Sequence, residues 1–227
     1  MLVSHRKRFI YTKTVKTGST TVEVYFEPWC FPDGEYAFSG PREPYVSDTG
    51  IVGFRGVKRD DDGYVWYNHM PASAIRDRLP ARTWNEYFKF CCVRDPFERM
   101  VSAFHHLVLP KEACATMPFP EIREQFQDWI QSRRFQAEHR LDDWAICAID
   151  DRLCVDYVIR HESLPQGIAA VCARLDIAFE PERIQRMQGH YNPKVAPFSH
   201  YYDPPTAAIV GTAFARQIRE FGYHPPC

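Results

Sequence analysis

Residues 8–25 read RFIYTKTVKTGSTTVEVY, and this stretch decides the fold. It opens with residues 9–11, Phe-Ile-Tyr, whose side chains favour a β-strand. A polar turn ending at Gly18 comes next, and the hydroxyl residues 19–21 after it can cap the N-terminus of a helix. The pattern predicts a strand, a loop of phosphate size and a helix. Backbone N–H groups at such a helix N-terminus point outward with partial positive charge, so they bind anions.

Lys16 lies where this loop is expected to meet the helix. The loop departs from the Walker A pattern, in which the lysine directly follows a glycine, because Lys16 comes two residues before Gly18. On the loop alone, two interpretations stay open: an anion site and an ordinary capped helix start.

The composition is that of a globular chain long enough for one large domain or two small ones, with 227 residues and a formal net charge of -1. A near-neutral chain has no bulk attraction to nucleic acid or to an anionic membrane, so neither is an expected partner and any anion site must be local. No apolar run approaches the about 18 residues that span a bilayer, and the N-terminus lacks the apolar segment of a secretion signal. We therefore expect a soluble, cytoplasmic protein.

The eight cysteines form no CxxC pair, and none has zinc-finger spacing with a histidine. Cys91 and Cys92 are adjacent in an apolar segment, FKFCCV over residues 88–93. This pattern favours reduced core cysteines over disulfides or a metal site.

Strand and helix patterns alternate along the chain. Strands are expected at residues 88–93 and 155–159, and helices at residues 71–79, 96–109, 119–133, 164–175 and 206–221. This alternation predicts an α/β fold, a P-loop-type three-layer sandwich with a central parallel sheet flanked by helices. We expect a single domain over residues 1–227.

An irregular stretch rich in proline and glycine, residues 27–66, interrupts that domain. Long ordered loops in compact domains are often functional. This one is either part of an acceptor pocket or an insertion with no role in chemistry.

Residues 92–104, CVRDPFERMVSAF, form a second candidate anion site. Arg94 ends a predicted strand, at the edge where open α/β sheets bind ligands, and Ser102 lies on the helix that follows. An arginine fork with a hydroxyl suits a phosphate, whereas the spacing of Arg99 puts it on a partly different helix face. The alternative is an ion pair between Arg94 and Asp95 that caps the helix.

Taken together, these stretches resemble the PAPS-dependent sulfotransferases, above all the carbohydrate sulfotransferases and their bacterial relatives. In that family a KTGST-like loop holds the 5′-phosphosulfate and an RDPFERxVSAY-like segment holds the 3′-phosphate. Residues 16–20 and 94–104 match these motifs, with Phe104 where the family often has tyrosine. Weaker matches follow the family's order at residues 67–70, 84, 88–90, 155–164, 201–203 and 221–223. Residues 31–64 have no match.

The resemblance implies sulfuryl transfer from PAPS to an acceptor hydroxyl of a small molecule or glycan, with release of PAP and no required metal. The residues implied to bind the nucleotide are Lys16, Thr17, Gly18, Ser19, Thr20, Thr21, Arg94, Ser102 and Lys194. Lys16 is placed on the bridging oxygen of the phosphosulfate, and Arg94 with Ser102 on the 3′-phosphate. Lys194 lies in a segment that closes over the nucleotide in relatives, where it either reaches the 3′-phosphate or stays in solvent.

His69 is the predicted catalytic base, because a histidine with a pKa of about 6.5 is neutral at working pH. It lies in the segment where the related heparan sulfate 2-O-sulfotransferases place a catalytic histidine. The alternative is a histidine that caps the next helix or bonds the loop backbone.

Two other functions stay open. One is a nucleotide-dependent phosphotransferase, disfavoured by the missing Walker lysine and by the lack of a metal-holding aspartate after a strand. The other is a non-catalytic nucleotide-binding module, in which Lys16 or His69 would be expected to be lost.

Overall fold

A computed structural model describes residues 1–56, 63–137, 141, 143–184 and 195–226 of the chain. The chain divides into two compact units. The first comprises Met1–Val93 and Asp143–Arg186, and the second comprises Arg94–Asp142 and Met187–Cys227. Lys194 lies outside the described residues.

The first unit is built on a mixed sheet. In chain order the strands are β1 Leu2–Ser4, β2 Phe9–Thr12, β3 Tyr45–Ser47, β4 Gly50–Val52, β5 Phe88–Val93, β6 Ala148–Ile149, β7 Arg152–Leu153 and β8 Tyr157–Arg160. Six of them form one sheet in the order β3-β4-β1-β2-β5-β8, and β6 pairs with β7. The pairs β2–β5 and β5–β8 are parallel, whereas the β1–β2, β1–β4 and β3–β4 pairs are antiparallel.

The described α-helices of the whole chain are, in order, α1 Ser19–Phe26, α2 Ala72–Arg78, α3 Ala81–Glu86, α4 Pro96–Leu107, α5 Lys111–Thr116, α6 Phe119–Gln131, α7 Arg134–Ala137, α8 Trp144–Cys147, α9 Leu164–Arg174, α10 Pro204–Ala213 and α11 Ala215–Phe221. Helices of the first unit lie on both faces of its sheet. Side chains of α1 and α9, such as Val22 and Ile168, join one buried cluster with Tyr11 of β2. On the other face, Ile75 of α2 packs in a cluster with Ile10. The predicted α/β sandwich is confirmed, and within its sheet β2, β5 and β8 are the strands that pair in parallel.

The described part of the stretch 27–66, residues 27–56 and 63–66, contains more regular structure than its composition indicates. Its β3–β4 hairpin adds two strands to the sheet through the pairing of β4 with β1. Gly50 permits this pairing, because a Cβ there would lie 2.4 Å from the carbonyl oxygen of Val3. Strands of three residues between prolines and glycines give too short a pattern to recognise in the sequence.

The second unit has an aromatic core between its helices. Phe104 of α4 packs edge-on against Phe126 of α6, with ring centroids 5.5 Å apart. The single helix expected at residues 206–221 is instead two helices, which meet at Phe214. Phe214 has φ −115° and ψ 24°, outside the helical region, and its side chain is buried near Phe135. The helix therefore breaks where an aromatic side chain turns into the core.

Candidate functional site

The loop between β2 and α1 turns sharply at two residues with left-handed backbone angles, Lys16 at φ 58° and Gly18 at φ 76°. Glycine adopts such angles readily, whereas a lysine there is uncommon in folded proteins. Gly18 is the N-cap of α1, and its carbonyl oxygen accepts from the N–H of Thr21 at 3.0 Å. The expectation that a hydroxyl of residues 19–21 caps this helix is therefore wrong, because no side chain caps it.

The hydroxyls of the loop hold its own shape. Thr14 donates its hydroxyl hydrogen to the carbonyl oxygen of Cys92 in β5, and the Thr17 hydroxyl lies 2.7 Å from that of Thr14. Ser19 donates to the Thr14 carbonyl at 2.6 Å, and the Cys92 thiol donates to the Thr17 carbonyl at 3.0 Å. Thr17 and Ser19 are buried, whereas Lys16, Gly18 and Thr20 are partly exposed. Hydrogen bonds inside the loop thus brace its shape, and Lys16 and the start of α1 lie on its outer surface.

His161 lies directly against this loop. A Cβ on Gly18 would come within 2.7 Å of His161 Nδ1, so the imidazole occupies the space that any larger residue would need. His161 follows Arg160, the last residue of β8, which pairs with Val93 at the end of β5. In the sequence, His161 lies within one of the weaker family matches, residues 155–164. Its position after a parallel strand was the signal available, since ligand sites form at the carboxyl edge of such strands.

His69 lies just before α2 and contacts the same loop. Its Nδ1 is 3.0 Å from the carbonyl oxygen of Lys13. A carbonyl oxygen can only accept, so Nδ1 carries the hydrogen and Nε2 of the neutral ring keeps its lone pair. Burial, and then the charge of Lys13, lower the pKa of His69 to about 4. The two roles considered for His69, a base and a partner of the loop backbone, are thus compatible in one geometry.

Behind the loop lies a buried group of charges, the Glu23 cluster, which consists of Lys13, Glu23, Glu27, Arg42 and Arg55. Glu23 Oε2 lies 2.7 Å from Lys13 Nζ and 3.2 Å from Arg55 Nη1, while Oε1 lies 3.3 Å from Arg42 Nη2. Glu27 contacts both arginines. Burial alone would raise the pKa of Glu23, but the surrounding cations outweigh it and hold that pKa well below its usual range.

The second candidate anion site lies at the start of α4. Arg94 makes a two-pronged contact with the Glu98 carboxylate, with Nε and Nη2 each 3.1 Å from an oxygen. Asp95 caps the helix by accepting from the N–H of Phe97 at 2.8 Å. Asp95 thus caps the helix, as in the alternative considered from the sequence, and Arg94 pairs with Glu98. Ser102 is buried one turn beyond Glu98, on the same helix face.

Arg99 lies on a different face of α4. Its guanidinium carbon is 4.7 Å from the centre of the Phe214 ring, a cation–π distance. This contact gives Arg99 a packing role in the core of the second unit.

Among the described residues, no group of three or more histidine, cysteine, aspartate or glutamate side chains could hold a metal ion. None of the described helices is long and apolar enough to cross a membrane. The cytoplasmic location expected from the sequence stays a prediction.

Comparison with known proteins gives one family. A family model described as "Sulfotransferase family" matches residues 1–203. No curated protein matches the chain significantly. The matched range contains Lys16, His69, Arg94 and Ser102, and it confirms the family resemblance that the two motifs indicate.

Proposed function

Because the chain belongs to the sulfotransferase family and is thus a sulfotransferase enzyme, we propose that it moves a sulfuryl group from PAPS to an acceptor hydroxyl and releases PAP. The observation that carries this proposal is the position of Lys16, on the outer surface of a braced loop directly before the N-terminus of α1. We also propose that both compact units belong to one sulfotransferase domain over residues 1–227, since the family match runs through both.

Lys16 is the proposed electrostatic catalyst. Sulfuryl transfer resembles phosphoryl transfer in its in-line attack, with negative charge building on the leaving oxygen. An ammonium group placed at that oxygen stabilises the transition state more than the ground state, which is what accelerates the reaction.

The N-terminal turn of α1 is the proposed binding site of the 5′-phosphate. The Thr17 and Ser19 hydroxyls are occupied inside the loop, so these residues and Gly18 are proposed to bind through their backbone N–H groups. The N–H of Thr21 already donates to the carbonyl oxygen of Gly18. We therefore propose the hydroxyls of Thr20 and Thr21 as further donors to the 5′-phosphate.

His69 is the proposed general base. In this step the acceptor oxygen forms a new bond to sulfur, and the bond from sulfur to the 5′-phosphate oxygen breaks. The electron pair of that bond leaves with PAP, and the acceptor proton passes to Nε2 of His69. The bond from Nδ1 to the Lys13 carbonyl supports this role, because it fixes the tautomer in which Nε2 is unprotonated.

Arg94 and Ser102 are the proposed ligands of the 3′-phosphate. Their support is the position of Ser102 on α4, one turn beyond the Glu98 that Arg94 contacts, and the fork geometry of the Arg94 guanidinium, which matches phosphate oxygens as it now matches the Glu98 carboxylate. Phosphate binding would replace Glu98 in whole or in part. Lys194 stays a prediction, since it lies outside the described residues. A phosphate at each end of the ribose distinguishes PAPS from ATP.

The test is transfer of radiolabelled sulfate from PAPS to a panel of small hydroxyl compounds and glycans. We expect a labelled product with the native chain and none with His69→Ala, which should still bind PAP in calorimetry. Loss of PAP binding in that variant would instead assign His69 a structural role. PAP binding with no transfer to any acceptor would support a non-catalytic module, and phosphoryl transfer from ATP would support a phosphotransferase.

A further inference from the structure

Glu23 contacts two groups of residues that hold residues 66–69 in place. We call residues 66–69 the His69 segment and the two groups its supports. The Glu23 side chain is fully buried on α1, the helix that begins at the Lys16 loop. One carboxylate oxygen, Oε2, accepts from Lys13 Nζ at 2.7 Å and from Arg55 Nη1 at 3.2 Å. Lys13 belongs to the loop and Arg55 to the stretch 27–66, so Glu23 joins two segments that are far apart in sequence.

The first support runs through Lys13. Its backbone carbonyl accepts from His69 Nδ1 at 3.0 Å, and its ammonium group donates to Asn68 Oδ1 at 3.3 Å. Lys13 therefore contacts two adjacent residues of the segment, one with its backbone and one with its side chain. Because Glu23 holds the ammonium group, it also restricts where the Lys13 carbonyl can lie.

The second support runs through Arg55. Its neighbour Phe54 donates its N–H to the Trp66 carbonyl at 2.9 Å and forms a parallel bridge with Tyr67. Arg42 pairs with Arg55 through two backbone hydrogen bonds of 2.8 and 3.0 Å. The side chains of Arg42 and Arg55 thus hold this paired backbone in place, and residues 66 and 67 pair with it through Phe54.

His69 needs such support, because its backbone has φ 56°. A left-handed angle at a residue other than glycine is strained and persists only where surrounding contacts impose it.

We propose that Glu23 is a positioning residue for the proposed base, holding Lys13 and Arg55 so that the Lys13 carbonyl fixes the ring of His69. This rests on the proposed function of His69. It also assigns a role to part of the stretch 27–66, because Arg42 and Arg55 hold the segment that carries His69. This role differs from both alternatives considered from the sequence, an acceptor pocket and an insertion with no role in chemistry.

The variant that tests this is Glu23→Gln, which keeps the shape of the side chain and removes its charge. We expect kcat to fall about 10- to 100-fold, the scale of misplacing a reacting group, with PAP affinity changed less than about 2-fold. The matched control is Glu27→Gln, which removes the other buried carboxylate. Among the described residues, Glu27 contacts Arg42 and Arg55 whereas Lys13 pairs with Glu23, so Glu27→Gln weakens only the second support and a smaller loss, of less than about 5-fold, is expected there.

A second measurement reports the tautomer of the His69 imidazole. Nitrogen NMR of the labelled imidazole should show His69 as the Nδ1–H tautomer in the native chain and a mixture of tautomers in Glu23→Gln. Unchanged kcat and an unchanged tautomer in Glu23→Gln would overturn the proposal. A native chain that transfers nothing from PAPS would overturn the proposed function, while the tautomer would still decide the role of Glu23.

Should Glu23→Gln fail to fold, Asn68→Ala tests the same support from its partly exposed end. It removes the bond from Lys13 Nζ, and we expect kcat to fall about 3- to 10-fold with the folded state and PAP affinity retained. An unchanged kcat together with an unchanged His69 tautomer in Asn68→Ala would overturn the proposal in that case.

Discussion

The two candidate anion sites are built in opposite ways. The loop before α1 is held by partners distant in sequence, such as Cys92 on Thr14 and Glu23 on Lys13. The start of α4 is held by neighbours, with Glu98 on Arg94 and the Asp95 cap on Phe97. The first site therefore depends on contacts with distant residues of its unit, whereas the contacts described at the second lie within one helix turn.

Because of this difference, substitutions at the two sites are expected to change different properties of the protein. Buried charges are costly to leave without partners, whereas a partly exposed ion pair contributes little to folding. We therefore expect substitutions behind the first site to damage folding or turnover, and substitutions at the second to change nucleotide affinity.

The largest expected effect is on stability, for Glu23→Ala. Removing this carboxylate leaves Lys13, Arg42 and Arg55 buried with too little negative charge, which costs about 3–5 kcal/mol. Denaturant unfolding followed by circular dichroism measures it. Glu98→Ala at the second site is the control and should cost less than about 1 kcal/mol. Similar losses in the two variants would remove the distinction between the sites.

The next effect is on turnover, for Lys16→Ala. We expect the transfer rate to fall at least about 100-fold, the scale of removing a preorganised donor. Lys7→Ala serves as the control, since Lys7 Nζ donates to the Asp176 carbonyl at the surface of the same unit. Near-normal turnover in Lys16→Ala, measured with labelled PAPS, would remove Lys16 from the mechanism.

Arg94→Ala should act on affinity. Loss of a charged hydrogen-bond donor costs about 1.5–3 kcal/mol, so we expect PAP to bind roughly 10- to 100-fold more weakly. Calorimetry of PAP binding measures this, with Arg123→Ala on the exposed surface of α6 as the control. PAP affinity unchanged by Arg94→Ala would exclude Arg94 from the 3′-phosphate site.

A smaller effect concerns pH. His69 has a folded pKa of about 4, below the 6.5 of an unfolded histidine, so the unfolded chain takes up the proton first as pH falls. Stability from this group is complete above pH 6.5 and is lost as pH falls from 6.5 towards 4. Each unit of pKa difference corresponds to about 1.4 kcal/mol, so we expect His69→Gln to make the fall in unfolding free energy over that window shallower by roughly 1–3 kcal/mol. Parallel curves for the two proteins would show that His69 is not held in its neutral form.

The smallest expected effect is a gain rather than a loss, and it concerns the affinity for PAP. Glu98 competes with a phosphate for the Arg94 fork, so Glu98→Gln should tighten PAP binding by about 2- to 10-fold. Titration of the variant with PAP measures the change. Weaker binding would mean that Glu98 aligns Arg94 for the phosphate rather than competing for it.

Much of the fold and both motifs could be predicted from the sequence, because those signals are local. Periodicity marked β5 and α4 within a residue or two, and the Lys16 loop stood out by its glycine and hydroxyl pattern. The bond between Arg94 and Glu98 also follows a helical spacing of four residues, whereas the partner expected for Arg94 was the adjacent Asp95.

The features that could not be predicted from the sequence depend on contacts between distant residues. Glu23 lies on a short helix with no local pattern to mark it, and its partner Arg55 comes from a stretch of prolines and glycines. The approach of His161 to Gly18 likewise exists only once β8 has joined the sheet beside β5. The break at Phe214 reflects burial in the core, which overrides helix propensity.

The most direct test of a PAPS-binding enzyme with two phosphate sites compares two nucleotides in calorimetric titrations of the native chain. PAP carries both phosphates, whereas 5′-AMP lacks the 3′-phosphate that Arg94 and Ser102 are proposed to bind. We expect PAP to bind at least about 10-fold more tightly than 5′-AMP, the value of one charged hydrogen-bonding interaction. Equal affinity for the two nucleotides would contradict the assignment of the second site and, with it, PAPS as the donor.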